Sequence, residues 1–332
     1  MFLACTSGLI FGPVPSRRLG RSLGINNIPA KTCSYSCVYC QVGRTTNMTV
    51  DRRKFFDPNE VFEAVRRRVE AIKSENGRID YLTFVPDGEP TLDLNLGEEI
   101  SLLKSIGTPV AVITNASLTY NDSVREDLLK ADYVSLKVDA LDERLWKRIN
   151  RPHVDLSLQA ILEGIAKFVE EFKGTVVSET MLINEVAYGN EFERIAEYLA
   201  ALKRLDRAYI ASPTRPPTER WIRPAREETV NAAFQRFSEK LGSERVELLI
   251  GYEGNDFTVS GNVEDSLLNI IAVHPMRKEA VEDFLKKAGM SWQTIEKLLR
   301  EEKIVKLEYE GKEYYAMKLA DPLKGDNCGK SR

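Results

Sequence analysis

Three cysteines fall within eight residues, in the run Cys33-Ser-Tyr-Ser-Cys37-Val-Tyr-Cys40. Thiolates are soft ligands, so three of them on one short loop suit a soft metal centre and leave one coordination position unfilled. A structural zinc site normally takes four protein ligands. The other candidates here, Cys5, Cys328, His153 and His274, all lie far away in the sequence. Zinc therefore stands as an alternative that needs a distant fourth ligand. A disulfide framework fits poorly, because three clustered cysteines leave one over and nothing marks the chain as secreted.

Other residues with chemical potential end short apolar runs. Gly88-Glu89-Pro90 is a glycine-bearing turn. Such a turn exposes backbone carbonyls, which accept hydrogen bonds from an ammonium group, although Gly and Pro mark ordinary surface turns as well. Thr114-Asn115 either face a ligand or cap a turn. In Val134-Ser-Leu-Lys-Val-Asp139, strand alternation puts Ser135, Lys137 and Asp139 on one face. A lysine inside an apolar strand is costly unless paired. Its natural partners are Asp139 and a ligand carboxylate; the competing reading is that Lys137 snorkels to solvent. Glu179 and Met181 stand on a later strand. Two basic groups, Arg17, Arg18 and Arg21 before the cysteines and Arg215, Arg220 and Arg223 with Trp221 in a later loop, are expected on one rim. There they either hold phosphate or carboxylate or form a solvated charge run.

These residues need a scaffold, and the hydrophobic pattern supplies one. Residues 12–32 read as a strand-poor segment with a short apolar stretch near Leu23 and Ile25. A helix is expected over 58–74, with Val61, Val65, Val69 and Ile72 on one face and Asp57-Pro58 as its start. Strands follow over 79–85, 109–114, 133–138, 176–182 and 207–212, separated by helices over 95–106, 122–130, 156–172, 191–204 and 227–241. A last strand is expected over 246–252. This alternation argues for parallel βαβ units, whose ligands bind at the carboxyl ends of the strands. Past residue 261 the pattern becomes three helices (263–273, 277–287, 291–302) and a hairpin over 304–317 turning at Glu310-Gly311. That is the order of a winged helix. The domains expected are 1–261, 262–320 and a tail over 321–332.

The chain of 332 residues carries a formal charge of -3, which gives no overall cationic field for nucleic acid. No apolar run approaches the roughly 18 residues that cross a bilayer, so no membrane partner is expected. The clustered cysteines fit a reducing compartment, the cytoplasm. Residues 262–321 hold ten Lys/Arg against twelve Asp/Glu, a poor balance for phosphate binding.

The C-x3-C-x2-C spacing with Tyr39 before the third cysteine, the Gly88-Glu89-Pro90 turn and the strand–helix alternation together resemble radical S-adenosylmethionine (SAM) enzymes. The stretch from Gly12-Pro-Val-Pro-Ser-Arg-Arg to Arg44-Thr-Thr46 is similar to a largely uncharacterised subgroup distantly allied to wyosine-type tRNA-modifying enzymes. The resemblance implies an α/β fold built as a partial (β/α)6 TIM-type barrel with a small C-terminal winged-helix-like domain. It implies an oxygen-sensitive [4Fe-4S] cluster on Cys33, Cys37 and Cys40, with SAM on the fourth iron. It implies SAM contacts from Tyr39, Gly88, Glu89, Pro90, Thr114, Asn115, Ser135, Lys137, Asp139 and Glu179. Lys137 would hold the SAM carboxylate, and Glu179 and Met181 would reach ribose and adenine or simply fill the barrel. The implied activity is reductive cleavage of SAM to a 5'-deoxyadenosyl radical that abstracts hydrogen from an RNA, protein or peptide substrate. The electron would come from a low-potential flavodoxin- or ferredoxin-like donor. The alternative is a metal-cluster-bearing regulator or a nucleic-acid-binding winged-helix protein without catalysis, with residues 291–302 as recognition helix; the full set of strand-end polar residues argues against it.

Overall fold

The structure is a computed structural model and describes residues 8–258 and 262–318. Cys5, Cys328, the expected boundary at Gly261 and the expected tail lie outside the described residues. The chain opens with β1 (Ile10–Ser16) and β2 (Gly20–Ile25). Two short strands, β3 (Thr32–Cys33) and β4 (Asn47–Met48), bracket the cysteine loop. The alternation then runs α1 (Pro58–Ser74), β5 (Tyr81–Phe84), α2 (Leu96–Lys104), β6 (Val110–Thr114), α3 (Asp122–Leu128) and β7 (Tyr133–Lys137). It continues with α4 (Glu143–Asn150), α5 (Leu158–Glu171), β8 (Thr175–Met181), α6 (Glu191–Ala201), β9 (Arg207–Ala211), α7 (Glu227–Leu241) and β10 (Val246–Leu249).

Eight strands form one sheet in the order β1-β2-β5-β6-β7-β8-β9-β10. From β2 onward every pair is parallel, and only β1 runs antiparallel, against β2. The sheet curls. Neighbouring strands lie about 4.8 Å apart, so a flat sheet of this width would separate its edges by roughly 34 Å. Yet Arg17, in the β1–β2 turn, donates from its guanidinium to the Leu249 carbonyl of β10 and, at 3.2 Å, to the Gly251 carbonyl.

Strand parity then divides the core into two layers. Val134, Leu136, Val176 and Ile210 pack outward against the helices. Leu19, Ala111, Tyr133, Val177, Tyr209, Ala211 and Leu249 form an inner cluster on the concave face. Helix α1 shows how the outer layer is built. Asp57 caps its start by accepting from the Asn59 amide, Pro58 occupies the first turn, and Val61, Val65, Val69 and Ile72 are buried.

Two local expectations need correction. Residues 12–32 are not strand-poor, since β1 and β2 form an antiparallel hairpin. Glycine and arginine density hid the pattern, because Gly12, Gly20 and Gly24 lack the side chains that periodicity is read from. The segment before α5 also holds an unexpected helix, α4, whose start is capped by Asp142 accepting from the Leu145 amide.

The remaining elements are α8 (Val263–Val273), β11 (Met276–Arg277), α9 (Lys278–Lys287), α10 (Gln293–Arg300), β12 (Ile304–Tyr309) and β13 (Lys312–Met317). Their small sheet has the order β11-β13-β12. The β12–β13 turn is made by Glu310 and Gly311, both at positive φ, which is the geometry that matches hairpin twist. The core of this module is shared with the main sheet. Phe11 and Val14 of β1, together with Phe257, are buried among Leu267, Ile270, Phe284, Ile295 and Leu298.

Candidate active site

The cysteine loop leaves the carboxyl end of β2 and is tied down on three sides. On the first side, β3 lies beside the turn after β5: Glu89 N donates to Thr32 O at 3.1 Å, and Lys31 N donates to Asp87 O at 2.6 Å. Gly88 makes this approach feasible, because a Cβ there would sit 2.0 Å from Thr32 O. On the second side, the C-terminus of α4 accepts from the loop: Val38 N donates to Ile149 O at 2.9 Å and Ser36 N to Asn150 O at 3.1 Å. On the third, the loop after β9 reaches back, with Thr218 N and Oγ1 both donating to Cys40 O at 2.8 and 2.6 Å. Backbone contacts on three sides therefore fix the path of the loop.

Asn115 and Asn150 flank the sulfurs. Asn115 Nδ2 lies 3.5 Å from Cys33 Sγ and 3.0 Å from Ser34 Oγ. Asn150 Nδ2 lies 3.6 Å from Cys37 Sγ, 3.2 Å from the Tyr39 hydroxyl and 2.7 Å from Asp139 Oδ2. Burial pushes all three thiols up, Cys37 to about 12. They are thiols at neutral pH unless a metal centre replaces their protons.

Glu89 is buried and works as a strut. Its Oε1 accepts from Thr114 Oγ1 at 2.6 Å, Thr91 Oγ1 at 2.6 Å and Thr91 N at 3.1 Å, and its Oε2 accepts from Asn115 N at 2.7 Å. The turn after β5 is thereby fastened to the end of β6. Pro90 starts a short 3-10 turn whose carbonyls are already engaged: Glu89 O accepts from Leu92 N and Pro90 O from Asp93 N. Thr114, and Asn115 through its amide, fasten this framework, and Asn115 Nδ2 turns to the cysteines.

The interior carries a charged row. Lys137 and Glu179 are register partners across β7 and β8, and Lys137 Nζ donates to Glu179 Oε1. Arg18 donates to Glu179 Oε2 and, at 3.1 Å, to Ser135 Oγ. Burial alone would raise Glu179, but Arg18 and Lys137 outweigh it and hold its carboxyl well below the usual range. Burial opposes the Lys137 charge, and Glu179 and Asp139 reverse that, so the ammonium is favoured. Lys137 Nζ also sits 5.5 Å from the Tyr39 ring centroid, a cation–π contact.

Lys137 does not pair with Asp139 as expected. Asp139 instead accepts from the Tyr39 hydroxyl, from Asn150 and, at 2.8 Å, from Met181 N. Position 139 lies beyond the end of β7, where the face alternation no longer holds. The arginines are not gathered on one rim either. The β1–β2 turn stands at the end of β2 opposite the cysteine loop, so Arg18 enters the interior and Arg21 pairs with Asp256 at 2.6 Å. Arg215 bonds Gln41 Oε1 at 2.6 Å and the buried Glu253. His274, one of the zinc alternatives, lies 2.9 Å from the same Glu253 carboxylate; His153 N donates to Ser34 O, and its ring Nδ1 faces the Asp155 amide. Sequence reading put Arg18 on a rim rather than in the interior, and it missed Asn150. The first was hidden with its hairpin, and the second with α4, although Asp142 ahead of Trp146 and Ile149 at helical spacing was a usable signal.

A sequence model described as the radical SAM superfamily matches residues 27–199, the span from just after β2 to α6. The chain belongs to the radical SAM superfamily. The superfamily implies SAM-dependent radical chemistry, a [4Fe-4S] cluster and an enzyme that needs a reductant. A UPF0026 protein of Methanocaldococcus jannaschii is 47% identical over 308 residues, covering 92% of this chain and 95% of that protein. A UPF0026 protein of Synechocystis sp. is 38% identical over 209 residues, covering 62% of this chain and 76% of its own. Among solved structures, TYW1 with a lysine-pyruvate adduct bound aligns over 66% of this chain and 73% of its own, at 18% identity and a TM-score of 0.47. Streptococcus suis SuiB aligns over 71% of this chain and 53% of its own, at 15% identity and a TM-score of 0.49. The mostly parallel, helix-covered sheet is a radical SAM α/β fold. No helix among the described residues is long and apolar enough to cross a membrane.

Proposed function

We propose that Cys33, Cys37 and Cys40 hold a [4Fe-4S] cluster and that the concave face beside them binds SAM. One observation carries this reading. Three cysteines sit on a loop pinned to the turn after β5, to α4 and to the loop after β9, and Lys137 of the Arg18–Glu179–Lys137 row lies 5.5 Å from the ring centroid of Tyr39 on that loop. Among the described residues, no three His, Cys, Asp or Glu converge on a single metal ion. Membership of the radical SAM superfamily supports a polynuclear centre over zinc, and each iron of a cluster takes its own thiolate. The amide groups of Asn115 and Asn150 beside two sulfurs suit a cluster too, since hydrogen bonds to sulfur tune its potential.

When bound, the reduced cluster would supply the electron that cleaves SAM to methionine and a 5'-deoxyadenosyl radical, which takes hydrogen from a substrate. This chain's residues bind, orient and exclude water. Among the carbonyls of Asp87 to Pro90, that of Gly88 accepts no hydrogen bond from the described residues, so it is the one open to an ammonium. Lys137 would give the SAM carboxylate its charge partner while sharing Glu179. Tyr39, fixed through Asp139 and Asn150, walls the site next to Cys40. Ser135 and Glu179 hold Arg18 in the interior, which leaves the ribose role proposed for Glu179 to be shared with two cations. The module after residue 261 takes the part of a winged-helix-like substrate domain, and the substrate class is RNA, protein or peptide.

The test is anaerobic reconstitution. Protein should bind about four irons with sulfide, and Cys33→Ala, Cys37→Ala and Cys40→Ala should each lose them. Reduced protein should form methionine and 5'-deoxyadenosine from SAM. Stoichiometric zinc with no iron would overturn the reading.

A further inference from the structure

A cleft of ≈ 860 Å³ opens between the cysteine loop and the C-terminal module. On one side it is lined by Gln41, Val42 and Gly43, the residues that directly follow Cys40, and by the Pro216-Pro217 loop. On the other side, every residue from Val305 to Gly311 lines it. Side chains of a strand alternate between faces, so a run of consecutive lining residues on an outer strand fits a strand that presents its edge. In the order β11-β13-β12 that edge is open among the described residues.

The backbone groups on that edge can be named. The two-residue turn at Glu310-Gly311 makes Tyr309↔Lys312 the closing, doubly hydrogen-bonded pair. Bonded pairs alternate in an antiparallel ladder, so Leu307↔Tyr314 and Val305↔Ala316 are bonded as well. The N–H and C=O of Lys306 and Glu308 therefore point away from β13. The edge also exposes Leu307, 37% accessible, and an open edge with an exposed apolar side chain invites another strand.

We propose that the cleft binds an extended polypeptide segment as an added strand on the open edge of β12, with one end delivered to the cysteine loop. This rests on the reading of that loop as the radical centre, and it names the substrate class. Backbone pairing supplies affinity, and the apolar lining of Val42, Pro216, Pro217 and Met317 accepts side chains. Charge favours a peptide over RNA. Lys306 pairs with Glu313, Lys318 with Glu302 and Arg223 with Glu310, so these cations are already neutralised. Among the described residues, Arg220 is the lining cation without such a partner, which fits one acidic side chain of a peptide better than a phosphate backbone. Tyr309, the aromatic lining the cleft, is buried with its hydroxyl toward Pro213 O, and so offers no stacking face for a base.

The experiment pans random displayed peptides of about twelve residues against the anaerobic, iron-loaded full chain. Enriched peptides should slow hydrogen exchange at the Lys306 and Glu308 amides. Glu308→Pro removes an outward N–H without touching the hairpin ladder. It should weaken peptide binding about tenfold, while Glu308→Ala, which keeps the N–H, should stay within about twofold. If Glu308→Pro loses its fold, the exchange measurement on the unaltered chain decides. Equal binding by the two variants, no enriched peptide, or no protection at residues 306 and 308 would overturn the proposal. So would a bulk tRNA pool that binds the cleft with a steep salt dependence. The readout is binding, so it is independent of SAM cleavage: loss of iron or of cleavage products sinks the radical reading, and loss of edge pairing sinks only this one.

Discussion

At the scale of single residues, the interior pairs two cations with one carboxylate. Substituting Lys137 by Met removes the lysine and leaves Arg18 to neutralise Glu179. Iron content should hold, and SAM affinity should fall by about 1–3 kcal/mol through loss of a charge-assisted hydrogen bond, read by equilibrium binding. Glu179→Gln is the harsher change, because two largely buried side-chain cations lose their counter-charge. It should cost about 3–5 kcal/mol in denaturant unfolding. Glu179 has a depressed carboxyl, so its contribution is present above the ordinary carboxylate range and is lost as the pH falls below it. Glu99, on α2, has the opposite sign. Burial pushes it up to about 9, with the Asp93 charge adding to the rise and the Asn27 side chain opposing it. Between the usual carboxylate pKa and about 9 the folded chain holds a proton that the unfolded chain has shed. Stability should therefore decline as the pH rises through that window. Glu99→Gln should flatten the decline, seen as a smaller difference in Tm between mildly acidic and mildly alkaline buffer.

At the scale of elements, the site is an agreement between loops. The turn after β5 touches the cysteine strand, and Gly88 is the point of contact. Gly88→Ala would drive a methyl group against Thr32 O. Overpacking of this kind costs about 1–3 kcal/mol, and here it would displace β3 and Cys33 directly. Iron stoichiometry after reconstitution should drop together with Tm. Full iron content with unchanged Tm would show that the turn has slack. The same dependence explains α4. It ends at Asn150, with Arg151 in a left-handed conformation at φ 45°, and this turn aims Asn150 at Cys37, Tyr39 and Asp139 while its carbonyls receive the loop amides. Asn150→Ala keeps the helix and removes those donors, so its expected mark is an altered cluster reduction potential, measured by redox titration, rather than loss of fold.

At the scale of the molecule, the C-terminal module is a cover fastened to the sheet. Phe11, Val14 and Phe257 belong to its core, Tyr314 Oη donates to Thr214 O at 2.8 Å, and His274 Nε2 lies 2.9 Å from Glu253 Oε1. Ending the chain at residue 258 would bare these apolar groups. The truncated protein should bind a hydrophobic dye and melt earlier than the full chain, by an amount that tracks the lost burial at about 25 cal/mol per Å². A truncated chain with the full chain's Tm and no dye binding would show the two parts to be independent. The attachment also places the cleft. The residues after Cys40 form one wall and β12 the other, so a substrate held there meets the module and the cysteine loop together.

The local patterns were legible without coordinates. Cysteine spacing, the alternation of strands and helices from α1 to β10, and the run of three helices and a hairpin all depend on neighbours within a few residues. Periodicity and turn chemistry act at that range. Strand parity likewise put Ser135 and Lys137 on one face. What the tertiary structure alone decided is which groups meet. Lys137 finds Glu179 because β7 and β8 pair in that register, and no local signal separates this partner from Asp139, two positions away. Arg18 enters the interior because a hairpin of glycine-rich strands turns there, and Asn150 reaches Cys37 because the helix before it ends there. Chain entropy and side-chain type bias short stretches of backbone, whereas charge pairing, burial and the open edge of β12 depend on the register and curl of a sheet whose edges lie more than two hundred residues apart in sequence, as Arg17 and Leu249 do.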